Sequence, residues 1–499
     1  MRRTRVAKVC LAIVVSVVVT LSVSTMAGAA SDAPLLDAVR VGDASRVQAL
    51  VENHVDVNAG DSDGTTALHW AAHRGDIDIV HLLISAGADA DVANRFGSTP
   101  LALASESGSS AAVDALLAAG ADPDGAGPEG ETALMTAART GRVAVVRALL
   151  DRGADPNATE RWRGQTALMW AAAESNIEAA EALIAGGAEI GARSSNGFSA
   201  LMFAVRAGRL ETVRSLLDAG APVNSALDDG TSALVLATKN AHYDVGVLLL
   251  RAGADPNADD QGWTALHEIK WARRPNLGFN NPPPLTTGTV TDVEFVRALV
   301  AHGAFLDARQ TKEPLNKYRN VLNRIGSTPF LLAAKAADLE MMRLLVELGA
   351  DPLLPNEDGT NPLMVAAGVG IWAVGESPGT NEEALEAVKF ALALGGDITT
   401  VDDNGDTAMH GATIRSSEPL IRFLLANGAE IDAVNAKGWT PLRMAKGIFY
   451  SNTGKRFPEM ETLLLELGAN EALAAGPDNT IEWSAGDVEL DQADARDSR

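Results

Sequence analysis

A single cysteine, Cys10, occurs in 499 residues, and it lies in an apolar stretch near the N-terminus. A chain lacking residues 1–30 would have none, which excludes disulfides, thiol catalysis, iron–sulfur clusters and zinc–cysteine sites by inventory. A cysteine-free body also suits an oxidising compartment, where a stray thiol is a liability. Aromatics are only 4% of the residues while apolar residues make up 46%, so the core is built of small and aliphatic side chains. Cations are scarce as well: 41 Lys and Arg stand against 65 Asp and Glu, for a net charge of −24. Residues 1–30 carry four basic and no acidic groups, so their removal takes the charge to −28. Non-specific nucleic-acid binding depends on cations neutralising phosphates, and this balance argues against a nucleic-acid partner. No P-loop, H-E-x-x-H or C-x-x-C-H string is present. The reading is therefore a non-enzyme with no catalytic residues, no cofactor and no metal.

The N-terminus reads as a targeting segment. Arg2, Arg3, Arg5 and Lys8 precede an apolar stretch of 15 residues from Val9 to Val23, followed by the small-residue signal Ala27-Gly28-Ala29. A membrane span needs about 20 apolar residues, so a cleaved signal peptide over 1–30 is expected. An uncleaved anchor is the alternative, since counting from Val6 to Met26 approaches spanning length. No second stretch of spanning length follows, so no membrane insertion is expected after signal removal. The expected location is the periplasm or outside the cell. One N-glycosylation sequon occurs, Asn157-Ala158-Thr159.

What is present in abundance is a repeat. A glycine followed by a Thr/Ser-Ala/Pro-Leu string begins at Gly64 (GTTALHWAA), Gly97, Gly130, Gly164, Gly197, Gly230, Gly262, Gly326, Gly359, Gly405 and Gly438 (GWTPLRMAK). Successive spacings are 33, 33, 34, 33, 33, 32, 64, 33, 46 and 33. Gly-Ala pairs such as Gly87-Ala88, Gly253-Ala254 and Gly428-Ala429 follow in step. The period and string resemble those of the ankyrin-repeat family over about residues 34–470, including an atypical first copy from Pro34. That resemblance, with export, reads as a bacterial exported ankyrin-repeat protein. It implies an all-α, right-handed solenoid of about twelve repeats over residues 31–470, each a helix–turn–helix with a β-hairpin loop. Residues 471–499 read as an acidic, disordered tail.

The residues account for the pattern physically. Thr or Ser before Ala/Pro-Leu is placed to cap the first helix. Pro100, Pro329 and Pro441 suit its first position, where a missing N–H costs nothing. Gly75, Gly108, Gly141 and Gly208 fall eleven residues after the leading glycine and stop that helix in a left-handed conformation. Asp63-Gly64 and Asp358-Gly359 supply hairpin-tip turns. One unit cannot bury its own face, so stacking makes the core.

Departures from the period carry most functional information, because packing does not require them. Insertions fall near 273–290, 309–325, 369–381 and 447–457, three of them between the two helices of alternate repeats. They carry Phe279, Trp372, Phe449 and Tyr450 amid Asn, Gly, Thr and Pro, with Trp271 at the margin, a mixture common in binding surfaces. Nine or ten residues after each leading glycine comes a cationic row: His73 and Arg74, Arg139, Arg206, Lys239, Lys335 and Arg415, interrupted by Glu106, Ala173 and Gly368. In the family this position lines the concave face, and the row suits an acidic strand; cations at a helix C-terminus also complement its dipole. Trp162, in a hairpin one residue longer than the others, is a candidate exposed contact. Trp70, Trp170 and Phe203 share one position and read as core.

His69, His267 and His410 occupy the family position where imidazole links adjacent repeats. His69 and His73 have metal-ligand spacing without a third ligand, and acidic strings such as Asp402 to Asp406 resemble calcium loops without the closing Glu. The functional reading is an exported, monomeric scaffold binding a protein partner through the concave face, hairpin tips and inserted loops. A small-molecule binder or enzyme with a pocket between those loops, or a secreted effector or toxin-neutralising protein, are the alternatives.

Overall fold

The structure, a computed structural model, describes residues 34–275, 284–313, 322–371, 377–450 and 453–474, with 448–450 and 453–455 as backbone course only. Within these residues 24 helices form twelve consecutive pairs, from Pro34–Val41 with Ala44–Glu52 to Pro441–Lys446 with Pro458–Glu466. First helices pack on the first helices of neighbouring repeats and second helices on second helices, giving two layers. Residues 1–33 and 475–499, the proposed leader and most of the proposed tail, lie outside the description.

Local chemistry sets the helix ends. The Thr99 hydroxyl accepts from the Ala102 amide, Thr132 from Met135 and Ser199 from Met202, each quenching an orphan donor of the first turn. Proline occupies the first turn at Pro100, Pro329, Pro362 and Pro441. The stop eleven residues on demands positive φ, as at Gly75 (70°), and Ser175, Ala241, Ala337 and Ser416 adopt it too where glycine is missing.

Burial follows the layering. In Ala133–Arg139 every residue from Ala133 to Ala138 is buried, because this helix has neighbours on both sides and its own second helix behind it. Val143–Asp151 buries only Val145, Val146 and Leu149, one face of an amphipathic helix. These side chains join one continuous core, in which truncating a leucine such as Leu149 to alanine costs roughly 2–5 kcal/mol.

Three sets of hydrogen bonds tie repeat to repeat. Hairpin tips donate to the tips before them: Arg95 N to Asp63 O at 2.8 Å, Arg161 N to Glu129 O at 2.8 Å, Ser195 N to Arg163 O at 2.7 Å, whereas Pro128 has no N–H to give. Formal antiparallel bridges close three of the hairpins, including Gly60 with Thr66. On the opposite edge, side chains after the Gly-Ala pair accept the next repeat's amide, as Asp122 N donates to Asp91 and Asp155 N to Asp124. Asn157 accepts from Glu189 N and donates to Gly187 O, so both ends of the sequon amide belong to this ladder. Finally, His69, His267 and His410 reach the carbonyls of Ser98, Ser327 and Trp439 in the following repeat.

The ends of the insertions are pinned by polar contacts. Arg273, at the end of Ala265–Arg273, donates to Asp338 Oδ2 at 2.8 Å, to Glu340 Oε2 at 2.8 Å and to Asp292, which opens the helix after the first insertion. Arg274 donates to Glu383 at 2.9 Å. The last insertion includes a two-stranded antiparallel hairpin, Ile448–Tyr450 with Thr453–Lys455, the sole departure from helix long enough to be a strand among the described residues.

Candidate functional site

The cationic row does not behave as one surface. Lys335 and Arg415 are buried, 5% and 4% exposed, because the third insertion passes over them. Lys335 Nζ donates to Gly370 O at 2.8 Å while its own carbonyl accepts from Ser377 Oγ at 2.9 Å. Arg415 donates to Gly379 O at 3.1 Å, and its Nε and Nη1 have no hydrogen-bond partner among the described residues. Burial pushes the Arg415 guanidinium below the ordinary arginine value, an effect that Glu383 partly offsets. These two residues hold the insertion and are withdrawn as partner contacts, which corrects their placement on an open row.

The N-terminal members are arranged differently. Arg74 is exposed but committed to Asp76 (2.6 Å) and to Arg40 O (3.1 Å). Arg139 lies over the ring of Trp170 in the next repeat, 5.7 Å from its centroid, and 3.8 Å from Glu131. Arg40 repeats the relation over Trp70 at 4.8 Å. Arg206 lies 4.8 Å from the ring centroid of Phe198 and 5.0 Å from that of Phe203, with the two rings 5.2 Å apart. Lys239 is exposed in the following repeat. Trp70 and Trp170 are half-buried and Phe203 is buried, so the aromatic row serves the packing and the guanidinium stacks together.

Trp162 is 62% exposed, on a tip organised by the buried carboxylate of Glu160. That carboxylate accepts from the amides of Trp162 (2.6 Å), Arg163 (2.9 Å) and Gln165 (3.0 Å), filling the place that an aspartate fills in the shorter tips. Arg163 stacks on Trp162 at 4.1 Å. Phe96 is similarly exposed at its own tip, under Arg95. Phe279 and Trp372 lie outside the described residues. Phe449 and Tyr450 fall in the strand Ile448–Tyr450, and their side chains lie outside the description as well. Trp271, at the margin of the first insertion, is half-buried between Lys270 Nζ at 3.6 Å and the Arg324 guanidinium at 4.6 Å.

The sequence reading missed Arg40, Arg163, Phe198 and the Arg273 network. The signal for one stack was available: Arg139, nine residues after Gly130, faces Trp170, six residues after Gly164, whereas Arg206 lies on Phe198 and Phe203 of its own repeat. The signal for Arg273 was weaker, two arginines at the edge of an insertion.

The acidic strings are turn-formers. Asp61 accepts from the Asp63 and Thr65 amides, and Asp402 from those of Asn404 and Asp406. Among the described residues no three His, Cys, Asp or Glu side chains gather as metal ligands, and no helix is long and apolar enough to cross a membrane. A cavity of about 10 Å³ beneath Leu266, Lys270, Pro329 and Met341 is hardly larger than one water requires. An open cleft of about 470 Å³ lies among the hairpins, lined by Asp91, Thr99, Asp122, Pro128 and Arg161.

Comparison with known proteins places these observations in a wider set. The family described as "Ankyrin repeats (3 copies)" matches residues 35–126, 93–160, 121–194, 153–226, 201–270 and 379–452, more than half of the chain. The single-copy "Ankyrin repeat" matches 325–357. The stretches left unmatched between them hold the first three insertions. The chain is 32% identical over 126 residues to a transient receptor potential cation channel subfamily A member 1 homolog of Caenorhabditis elegans, covering 25% of this chain and 9% of that protein. It is 28% identical over 153 residues to the nuclear factor NF-kappa-B p105 subunit of Gallus gallus, covering 30% and 14%. It is 37% identical over 107 residues to the RelA-associated inhibitor of Mus musculus, covering 21% and 12%. It thus spans no more than 14% of the length of these curated relatives. The ankyrin repeat domain of Bcl-3, a solved structure, matches at 33% identity and a TM-score of 0.39, over 41% of this chain and 94% of that one.

Proposed function

Because the chain belongs to the ankyrin-repeat family, whose repeats are typically protein–protein interaction domains, we propose that it is a non-catalytic scaffold that binds a protein partner. The observation that carries this reading is the row of arginines laid on aromatic rings at Arg40, Arg139 and Arg206, on a chain whose net charge is −24. Stacked guanidiniums lose little side-chain entropy on contact, and arginine with tryptophan is the composition of binding hot spots. Trp162 and Phe96 extend the contact to the hairpin tips, and Phe449, Tyr450, Trp372 and Phe279 to the inserted loops. Two relatives point the same way, one named as a subunit and one as an associated inhibitor.

The scaffold works as a monomer outside the cytoplasm, in the periplasm or as a secreted protein, after loss of residues 1–30. The basic–apolar–small order of that segment and the absence of cysteine after it support export. Membrane fractionation with N-terminal sequencing of the mature protein tests this. A mature N-terminus near residue 31 in the soluble envelope fraction is expected, and a protein retained in the cytoplasm with Met1 intact contradicts it. For binding, replacing Trp372, Phe449 and Tyr450 together by alanine weakens partner capture while leaving the melting temperature nearly unchanged. Lost folding instead assigns those side chains to the core.

A further inference from the structure

Cations in this chain are outnumbered 41 to 65, so carboxylates able to pair with an arginine are plentiful. Several arginines near the hairpins have found one: Arg40 pairs with Asp61, Arg74 with Asp76, Arg95 with Asp63 and Arg193 with Asp228. Arg163 and Arg206 have not. Among the described residues neither guanidinium makes an ion pair, and the two are close enough for Arg163 to disfavour the charge on Arg206. Arg206 is half-buried besides, so its charge is also poorly hydrated.

Both are held in place rather than left to wander. The Glu160 carboxylate fixes the backbone at Trp162 and Arg163, and the Arg163 carbonyl accepts from Ser195 N at 2.7 Å. Arg206 ends the helix Ala200–Arg206 and lies against two phenylalanines. A guanidinium placed over a ring spends none of its N–H donors on it, and its fork can meet a carboxylate with two hydrogen bonds. The Arg163 carbonyl is tied to Ser195, three residues before the Phe198 ring that Arg206 covers, so the two cations stand on adjoining repeats, where like charge costs repulsion and a carboxylate between them brings attraction.

We propose that Arg163 and Arg206, mounted on Trp162, Phe198 and Phe203, form the docking point for an acidic stretch of the partner protein, with a carboxylate bridging the two guanidiniums. This rests on the scaffold reading and names the chemistry of its partner. Lys239, exposed one repeat further on, continues the positive strip for a second acidic side chain.

The test uses the purified full chain and a fluorescent peptide of alternating Glu and Gly, about 12 residues or roughly 40 Å when extended. A peptide with Gln for Glu and a polyphosphate of equal charge are run beside it. The Glu peptide is expected to bind and the Gln peptide not, with affinity falling as salt rises from about 0.05 M to about 0.3 M. Arg163→Ala and Arg206→Ala each weaken binding about tenfold or more. Arg142→Ala with Arg147→Ala removes equal charge from exposed positions beside and on a second helix and leaves binding unchanged. Arg163 is exposed at a tip, so its variant keeps the melting temperature even if Arg206→Ala does not. Wild-type affinity in Arg163→Ala, or equal binding of the Gln peptide, overturns the proposal. Tighter binding of polyphosphate reassigns the patch to a non-protein polyanion. A native partner captured equally by wild type and by the chain carrying both Arg163→Ala and Arg206→Ala overturns the docking point and leaves the scaffold standing. Peptide binding without any native protein partner instead removes the scaffold.

Discussion

His267 donates from Nε2 to the carbonyl of Ser327, 3.1 Å away and 60 residues further along the chain. The same bond joins His69 to Ser98 at 2.9 Å and His410 to Trp439 at 3.0 Å, across 29 residues in each case. The tautomer follows from the other nitrogen, since the Thr264 amide donates to His267 Nδ1 at 3.2 Å and leaves Nε2 to carry the proton. Two insertions between Gly262 and Gly326 thus leave the repeat register intact. They are additions to a finished stack, free to carry function.

These imidazoles make stability depend on pH. Burial pulls His267 down to about 4, and burial lowers His69 and His410 as well. The unfolded chain binds the extra protons, so their contribution is complete above about pH 6.5 and is lost as pH falls toward 4. For His267 the loss is roughly 3 kcal/mol over that window. His267→Gln keeps an acceptor for the Thr264 amide but neither titrates nor reaches Ser327. Urea denaturation across pH should find this variant less stable than wild type near neutrality, with a shallower slope between 4 and 6.5. Equal slopes in the two proteins contradict the assignment.

Arg273 clamps three carboxylates around the first insertion, and Asp338 among them is buried. Arg273→Ala leaves that charge only the longer contact to Arg274 at 3.7 Å and should cost about 3 kcal/mol, the lower end for breaking a buried pair from one side. Arg273→Lys keeps the charge but not the fork, and should fall between. Unfolding monitored at Trp263 and Trp271 is expected to shift more than unfolding of the first repeats, since stability in a solenoid is local. A loss below about 1 kcal/mol places the network with ordinary surface pairs.

The helix-stop position offers a paired test. Ser416 holds φ at 58°, a conformation that glycine adopts without the Cβ penalty, so Ser416→Gly should stabilise by about 1 kcal/mol. Gly208 holds φ at 67°, and an added Cβ meets the His242 ring at 2.7 Å, so Gly208→Ala should destabilise by more than that. Melting temperatures moving in the same direction for both contradict the left-handed requirement.

The stack itself was legible because each repeat states its own rules. Thr132 caps, Pro100 starts and Gly75 stops a helix for reasons local to a few residues. Contacts between repeats were less so. Lys335 sits at the same sequence offset as Arg139 and Arg206, and Arg415 one residue further, yet both are buried, because a neighbouring insertion supplies carbonyls at Gly370 and Gly379. An offset fixes where a side chain leaves its helix and says nothing of what a longer loop lays over it. The stacking of Arg139 on Trp170 is not visible in either row taken alone, because it joins a residue of one repeat to a residue of the next.

The central claim, a protein-binding scaffold, is tested most directly by affinity capture with residues 31–499 as bait against native envelope extract, at low and high salt. The account predicts one stoichiometric protein partner, lost on high salt and on Arg163→Ala with Arg206→Ala, and weakened by removal of the three loops between paired helices. No protein partner under any condition, with a small molecule or a substrate turned over instead, contradicts it.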